Sequence, residues 1–152
     1  SPRPGTPAAD REDQVPPELA AERYRRLVAL QERICAEDNA ALEGTDVEVL
    51  VSQGEGRKDG ATARISGRAR DNRLVHVALP HDLDEGGRPR PGDVVRARVT
   101  HGAPHHLIAD SALEGGPFAL RRTRAGDAWQ ARQDHEDDER VSLGIPTLRV
   151  RH

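Results

Sequence analysis

The sequence predicts a mainly β chain with one long N-terminal helix, a five-stranded OB-like barrel and a disordered C-terminal tail. Three observations carry that prediction. Good helix formers follow Pro16 and Pro17 and stop at Gly44. Short stretches of alternating apolar and polar residues then fill the region 44–113, with no helical period among them. From residue 114 onward the apolar content is thin and scattered. Composition sets the limit on all three. Of 152 residues, 35% are hydrophobic and 2% aromatic, against 32% charged, so one core cannot cover the whole chain.

Residues 1–17 are rich in proline and glycine and read as an extended linker. The helix is assigned to 18–43, with its first turn reaching back to Pro17. Proline costs nothing there, and Glu18 suits the helix dipole. Tyr24, Leu27, Leu30 and Ile34 recur at helical spacing and form one narrow apolar stripe, most simply a docking face. In 44–113, Val47, Val49 and Val51 mark a first strand with one buried face. A second strand is expected over about 62–69 and a third over about 73–79. Pro91-Gly92-Asp93 is a tight turn. A fourth strand carries Val95, Ala97 and Val99 on one side and Arg96 and Arg98 on the other, and a fifth runs over about 106–113. Five strands without an intervening helix suit a Greek-key barrel. The tail, 114–152, reads as mostly disordered, and Asp134 to Glu139 form an acidic patch within it.

The candidate site lies around the second and third strands. Arg64, Arg68, Arg70, Asn72 and Arg73 cluster about Gly67, which reads as a bend. Arginine presents a planar donor fork that suits phosphate and stacks on bases. Short basic turns between barrel strands grip nucleic acid in this way. Arg57 and Lys58, in the glycine-rich loop 54–60, are a second candidate phosphate clamp. The alternatives are a solvated charged surface for the arginines and a left-handed turn for Asn72. The net charge is −3, which counts against a simple nucleic-acid binder, and Lys58 is the only lysine.

Other chemistry is sparse. Cys35 is alone, so no disulfide framework and no metal cassette is written in these residues. His101, His105 and His106 lie close together but lack the partners of a zinc pattern. No apolar run approaches the roughly 20 residues of a membrane span, so a cytoplasmic location without membrane contact is expected. Trp129, near Arg121, Arg122 and Arg124, could add a stacking contact or simply belong to the tail.

Several of these stretches resemble one family. Ser1-Pro2-Arg3-Pro4-Gly5-Thr6-Pro7-Ala8 is similar to the end of the radical SAM barrel of bacterial tRNA methylthiotransferases. Asp13-Gln14-Val15-Pro16 and the arginine-rich helix resemble that family's linker. Gly44 to Leu113 resembles the TRAM domain, the RNA-binding barrel that ends those enzymes. Ser66-Gly67-Arg68 and Asn72-Arg73-Leu74-Val75-His76-Val77 match it most closely, with Ala69 where the family usually has threonine. The resemblance is to the MiaB type, which methylthiolates a prenylated adenosine beside the anticodon. It implies a parent enzyme that uses two 4Fe-4S clusters and S-adenosylmethionine. It also implies a fragment that binds the anticodon stem-loop of tRNA through Arg57, Lys58, Arg64, Arg68, Arg70, Asn72 and Arg73. The upstream radical SAM domain would be its partner in the same chain, in a monomer. The fragment lacks the cluster cysteines, so by itself it is expected to catalyse nothing, to hold no cofactor and to bind no metal. A stand-alone RNA-binding barrel and the sibling ribosomal-protein methylthiotransferase are the other readings.

Overall fold

In a computed structural model the described residues are 3–53, 63–80, 82–84, 86–110 and 118–142. Helix α1 spans Pro17–Ala40. Among the described residues seven strands follow: β1 Asp46–Val51, β2 Arg64–Ala69, β3 Leu74–Ala78, β4 Val94–Arg98, β5 His101–Ala103, β6 His106–Ala109 and β7 Ala119–Arg121. A further described helix, α2, spans Arg124–Ser142. The strands form one sheet in the order β5-β6-β3-β2-β1-β4-β7. All pairings are antiparallel except β3 with β6.

The alternation read from the sequence places the core. Val49 and Val51 of β1, Val75 and Val77 of β3, Val95 and Ala97 of β4, and Leu107 and Ala109 of β6 are all buried, with Val99 beside them. Successive strand residues point to opposite faces. Asp46, Glu48 and Leu50 of β1 and Arg96 and Arg98 of β4 therefore share the outer face. Gly67 is not at a bend. It sits inside β2, facing the core, opposite Val51 and Val75. A Cβ there would lie 2.1 Å from the Leu50 carbonyl oxygen, so close backbone approach explains this glycine. The reversal between β2 and β3 falls instead at Arg70–Arg73. Asn72 adopts φ 67° there and its N–H donates to the Ala69 carbonyl at 2.9 Å. Asparagine tolerates this left-handed conformation.

The expectation of a mostly disordered tail fails for residues 118–142. Strand β7 pairs with β4, and Phe118 and Leu120 pack against the core. Polar contacts complete the attachment. Asp93, fully buried, accepts from Arg90 Nε at 3.1 Å, from Arg122 Nη1 at 2.7 Å and from the Thr123 N–H at 3.1 Å. Thr123 caps α2 by accepting the Gly126 N–H at 3.1 Å, and Arg90 also reaches Asp127 at 2.7 Å. Apolar periodicity gave no sign of this, because one buried carboxylate supplies much of the attachment.

Helix α1 meets the sheet only at its C-terminal end. Asn39, its one buried residue, donates from Nδ2 to the Ala103 carbonyl at 2.6 Å. Just past the helix, Glu43 accepts the Gly102 N–H at 2.9 Å. Gly102 lies so close to the Asn39 backbone that a Cβ would come within 2.3 Å of it. No described helix is long and apolar enough to cross a membrane.

Candidate nucleic-acid interface

Arg64 and Arg68 share the outer face of β2 but stand at its opposite ends, and the predicted arginines do not form one cluster. Arg64 leads β2 and is held at 2.6 Å by Asp110, beyond β6. Arg73 folds back onto Asp71 within the turn. Asn72 is the left-handed turn residue, and its carbonyl accepts from Arg68 Nη1 at 3.3 Å. Arg57 and Lys58 lie outside the described residues. Arg68 and Arg70 sit together at the other end of β2, about 13 Å along the strand from Arg64 by strand geometry.

There the fold adds residues that the sequence reading did not select. Arg68 stands opposite Leu50 of β1, Leu50 opposite Val94 of β4, and Val94 opposite Arg121 of β7. One position pair further along, Glu48 stands opposite Arg96, and then Asp46 opposite Arg98. Arg70 donates to Glu48 from Nε at 2.9 Å and from Nη2 at 2.6 Å. Arg121 lies 3.9 Å from the same carboxylate. Asp46 takes Arg98 at 2.9 Å and Arg96 at 3.9 Å. Hydrogen bonds from Arg70, then its charge, pull the Glu48 carboxyl below its ordinary range, with Arg121 and Arg96 adding to the effect. Glu48 therefore stays anionic at neutral pH.

Among the described residues, Arg68, Arg70, Arg96, Arg98 and Arg121 share this outer surface with the carboxylates of Asp46 and Glu48. The side chains of Arg70, Arg96, Arg98 and Arg121 are open to solvent, Arg70 most of all at 86% exposed. Exposed ion pairs contribute only about 0–1 kcal/mol. The guanidinium groups of Arg70, Arg96, Arg98 and Arg121 are thus pre-oriented by Asp46 and Glu48 yet cheap to release to another anion. Between them lies a shallow depression of about 310 Å³, lined by Leu50, Val94, Arg68, Arg70, Arg121 and Glu48. Leu50, half exposed, gives it an apolar floor. Flat apolar surface flanked by guanidinium groups suits a base and its phosphates. The Arg96/Arg98 alternation was visible in the sequence. The register of β1 against β4 and β7, which brings these arginines to Glu48 and Asp46, was not.

The histidines occupy a different part of the sheet. His76 Nδ1 is 2.6 Å from Ser66 Oγ, and the His76 and His106 rings meet edge to face at 5.0 Å. Burial, then the neighbouring His76, His101 and His105 and Arg64, push the His106 pKa down. Among the described residues no group of three or more His, Cys, Asp and Glu converges on a metal position. Cys35 lies on α1 and receives a hydrogen bond from Gln31 at 3.0 Å. One cysteine cannot supply the thiolates that an iron–sulfur cluster takes, so this donor set does not fit such a group.

Comparison with known proteins places the chain. It is 59% identical to the tRNA-2-methylthio-N(6)-dimethylallyladenosine synthase of Kineococcus radiotolerans over 98% of its own length. It is 56% identical over 98% to the protein of that name from Leifsonia xyli, and 58% identical over 97% to the one from Thermobifida fusca. The chain belongs to this family, as a C-terminal fragment. It spans 28–29% of the length of these relatives. No family model matches it.

Proposed function

We propose that this chain is the tRNA-gripping part of an enzyme that methylthiolates the prenylated adenosine beside the anticodon. The observation that carries the reading is the outer face of β1, β4 and β7. Arg68, Arg70, Arg96, Arg98 and Arg121 gather there around an apolar floor, the last four beside Glu48 and Asp46. The name that the relatives share supports tRNA rather than a ribosomal protein as the substrate. Phosphates would displace Asp46 and Glu48 from the guanidinium groups, while a base from the loop would rest on Leu50 and Val94. Arg64 and Arg73 are outlying contacts in the same reading, and Arg57 and Lys58 are further candidates. Radical SAM chemistry, with its clusters and S-adenosylmethionine, belongs to the rest of the polypeptide. The role of this part is to hold RNA in the cytoplasm while that chemistry proceeds.

Residues 44–113 are read as a TRAM domain closed into an OB-like barrel. The support is that β4 and β5 are separated only by Val99 and Thr100. The Val99 N–H still donates to Thr45 beside β1, whereas the Thr100 N–H donates to Ile108 of β6. A bent β4–β5 strand would thus link both sides of the sheet into five strands, with β7 added at the edge.

The test is the salt dependence of tRNA binding by the intact polypeptide. Replacing Arg68, Arg96 and Arg121 with alanine should weaken binding and flatten the log–log salt slope by about 0.7–0.9 unit per lost phosphate contact. Replacing Arg64 and Arg73 should change it less. An unaltered slope in the triple variant would sink the proposal.

A further inference from the structure

Helix α1 is a lever with an uncovered face. Its 24 residues extend about 36 Å, yet only Asn39 at the far end is buried against the sheet. Tyr24 is 67% exposed and Leu27 63%, with Leu19, Leu30 and Ile34 also open. A helix whose apolar stripe meets only water gains little from packing, and packing is what stabilises most protein helices. A contiguous exposed stripe of this kind marks a contact surface. A broad groove of about 730 Å³ runs beside it, lined by Arg23, Arg26, Arg33, Leu27, Ala29 and Leu30. Arg26 and Arg33 reach Glu22 and Glu37 only at 4.0 and 3.8 Å.

We infer that this face docks on the part of the same polypeptide that precedes the chain, on an apolar strip rimmed by carboxylates. The relatives are more than three times as long as the chain, so most of the polypeptide lies outside it. Helix α1 stands at the end where that remainder would join a C-terminal fragment. The charge on the rim disfavours a second copy, because pairing two such faces brings arginines together. With its other end fixed by Asn39 and Glu43, the docked helix would set the orientation of the arginine-bearing sheet face relative to the preceding domain. The inference rests on membership of the longer family and does not require RNA binding.

Hydrogen exchange on the intact polypeptide, without RNA, tests it. Amides of residues 20–34 should be protected, and Leu27→Asp with Leu30→Asp should speed their exchange at least tenfold. Protection in β1–β4 should stay unchanged, which separates lost docking from unfolding. Sedimentation should show a monomer for both forms. Unchanged exchange over 20–34 in the variant overturns the inference. So does a concentration-dependent dimer that the two substitutions dissolve, since the occupant would then be a second copy.

Discussion

Asp93 is the residue on which the two ends of the β region meet. Burial alone would raise its pKa. Donation from the Arg90 side chain and backbone, from Arg122 and from the Thr123 N–H outweighs burial and holds it at about 2, below the ordinary 3.8. A carboxyl with a depressed native pKa stabilises the fold above its unfolded pKa. That contribution disappears as pH falls through the native value. The window here is from about pH 4 down to about pH 2, and the size is about 2 kcal/mol. Asp93→Asn should therefore lower the urea-unfolding free energy at pH 7 by about that amount and flatten the acid limb. Equal losses from pH 7 to pH 3 in wild type and variant would contradict this. His106 acts in the same direction in a higher range. Its depressed pKa makes the native state resist protonation, so some stability is lost as pH drops below about 6.5.

Among the elements, β1 and β4 were legible because Val47, Val49, Val51 and Val95, Ala97, Val99 alternate, and both strands lie where that alternation puts them. Helix α1 was legible from Pro17 and Glu18 at its start. Strand β5 was not, since His101-Gly102-Ala103 carries no apolar alternation and exists through its pairing with β6 and the contact of Gly102 with Asn39. Gly67 illustrates a correct strand with a misread glycine. The sequence marks it as a bend, whereas the backbone of Leu50 passing over it forbids a side chain. Gly67→Ala should cost about 2–3 kcal/mol through forced separation of β1 and β2. An unchanged denaturant midpoint would show that the strands can part without penalty. The arginine cluster failed to be legible for a related reason. Spacing along one strand says which residues share a face, but only the pairing of β4 with β1 and β7 says which faces meet.

At the scale of the whole molecule, the apolar core is small and built from valine, alanine and leucine, so attachment of the C-terminal segment has to draw on polar contacts as well. The misread tail follows from that. Apolar content measures how much core a segment can bury, and among the described side chains of 118–136 it is Phe118 and Leu120 that pack against the core. What the composition does not register is that Arg122 and Thr123 complete a buried anion that β4 has already placed. Removing residues 118–152 should therefore destabilise the remainder by roughly 3–5 kcal/mol, the usual consequence of stripping partners from a buried charge. The same logic fixes the outcome of combining changes. In the whole chain Asp93→Asn is destabilising, because it discards charge-assisted bonds from Arg122 and Arg90. In the truncated chain the carboxylate keeps Arg90 but has lost the Arg122 and Thr123 donors, so the asparagine should cost less than it does in the whole chain. A coupling of about 1 kcal/mol between the two changes is expected in a double-mutant cycle. Simple additivity would mean that α2 and β7 are held by Phe118 and Leu120 alone, with Asp93 serving only its own turn.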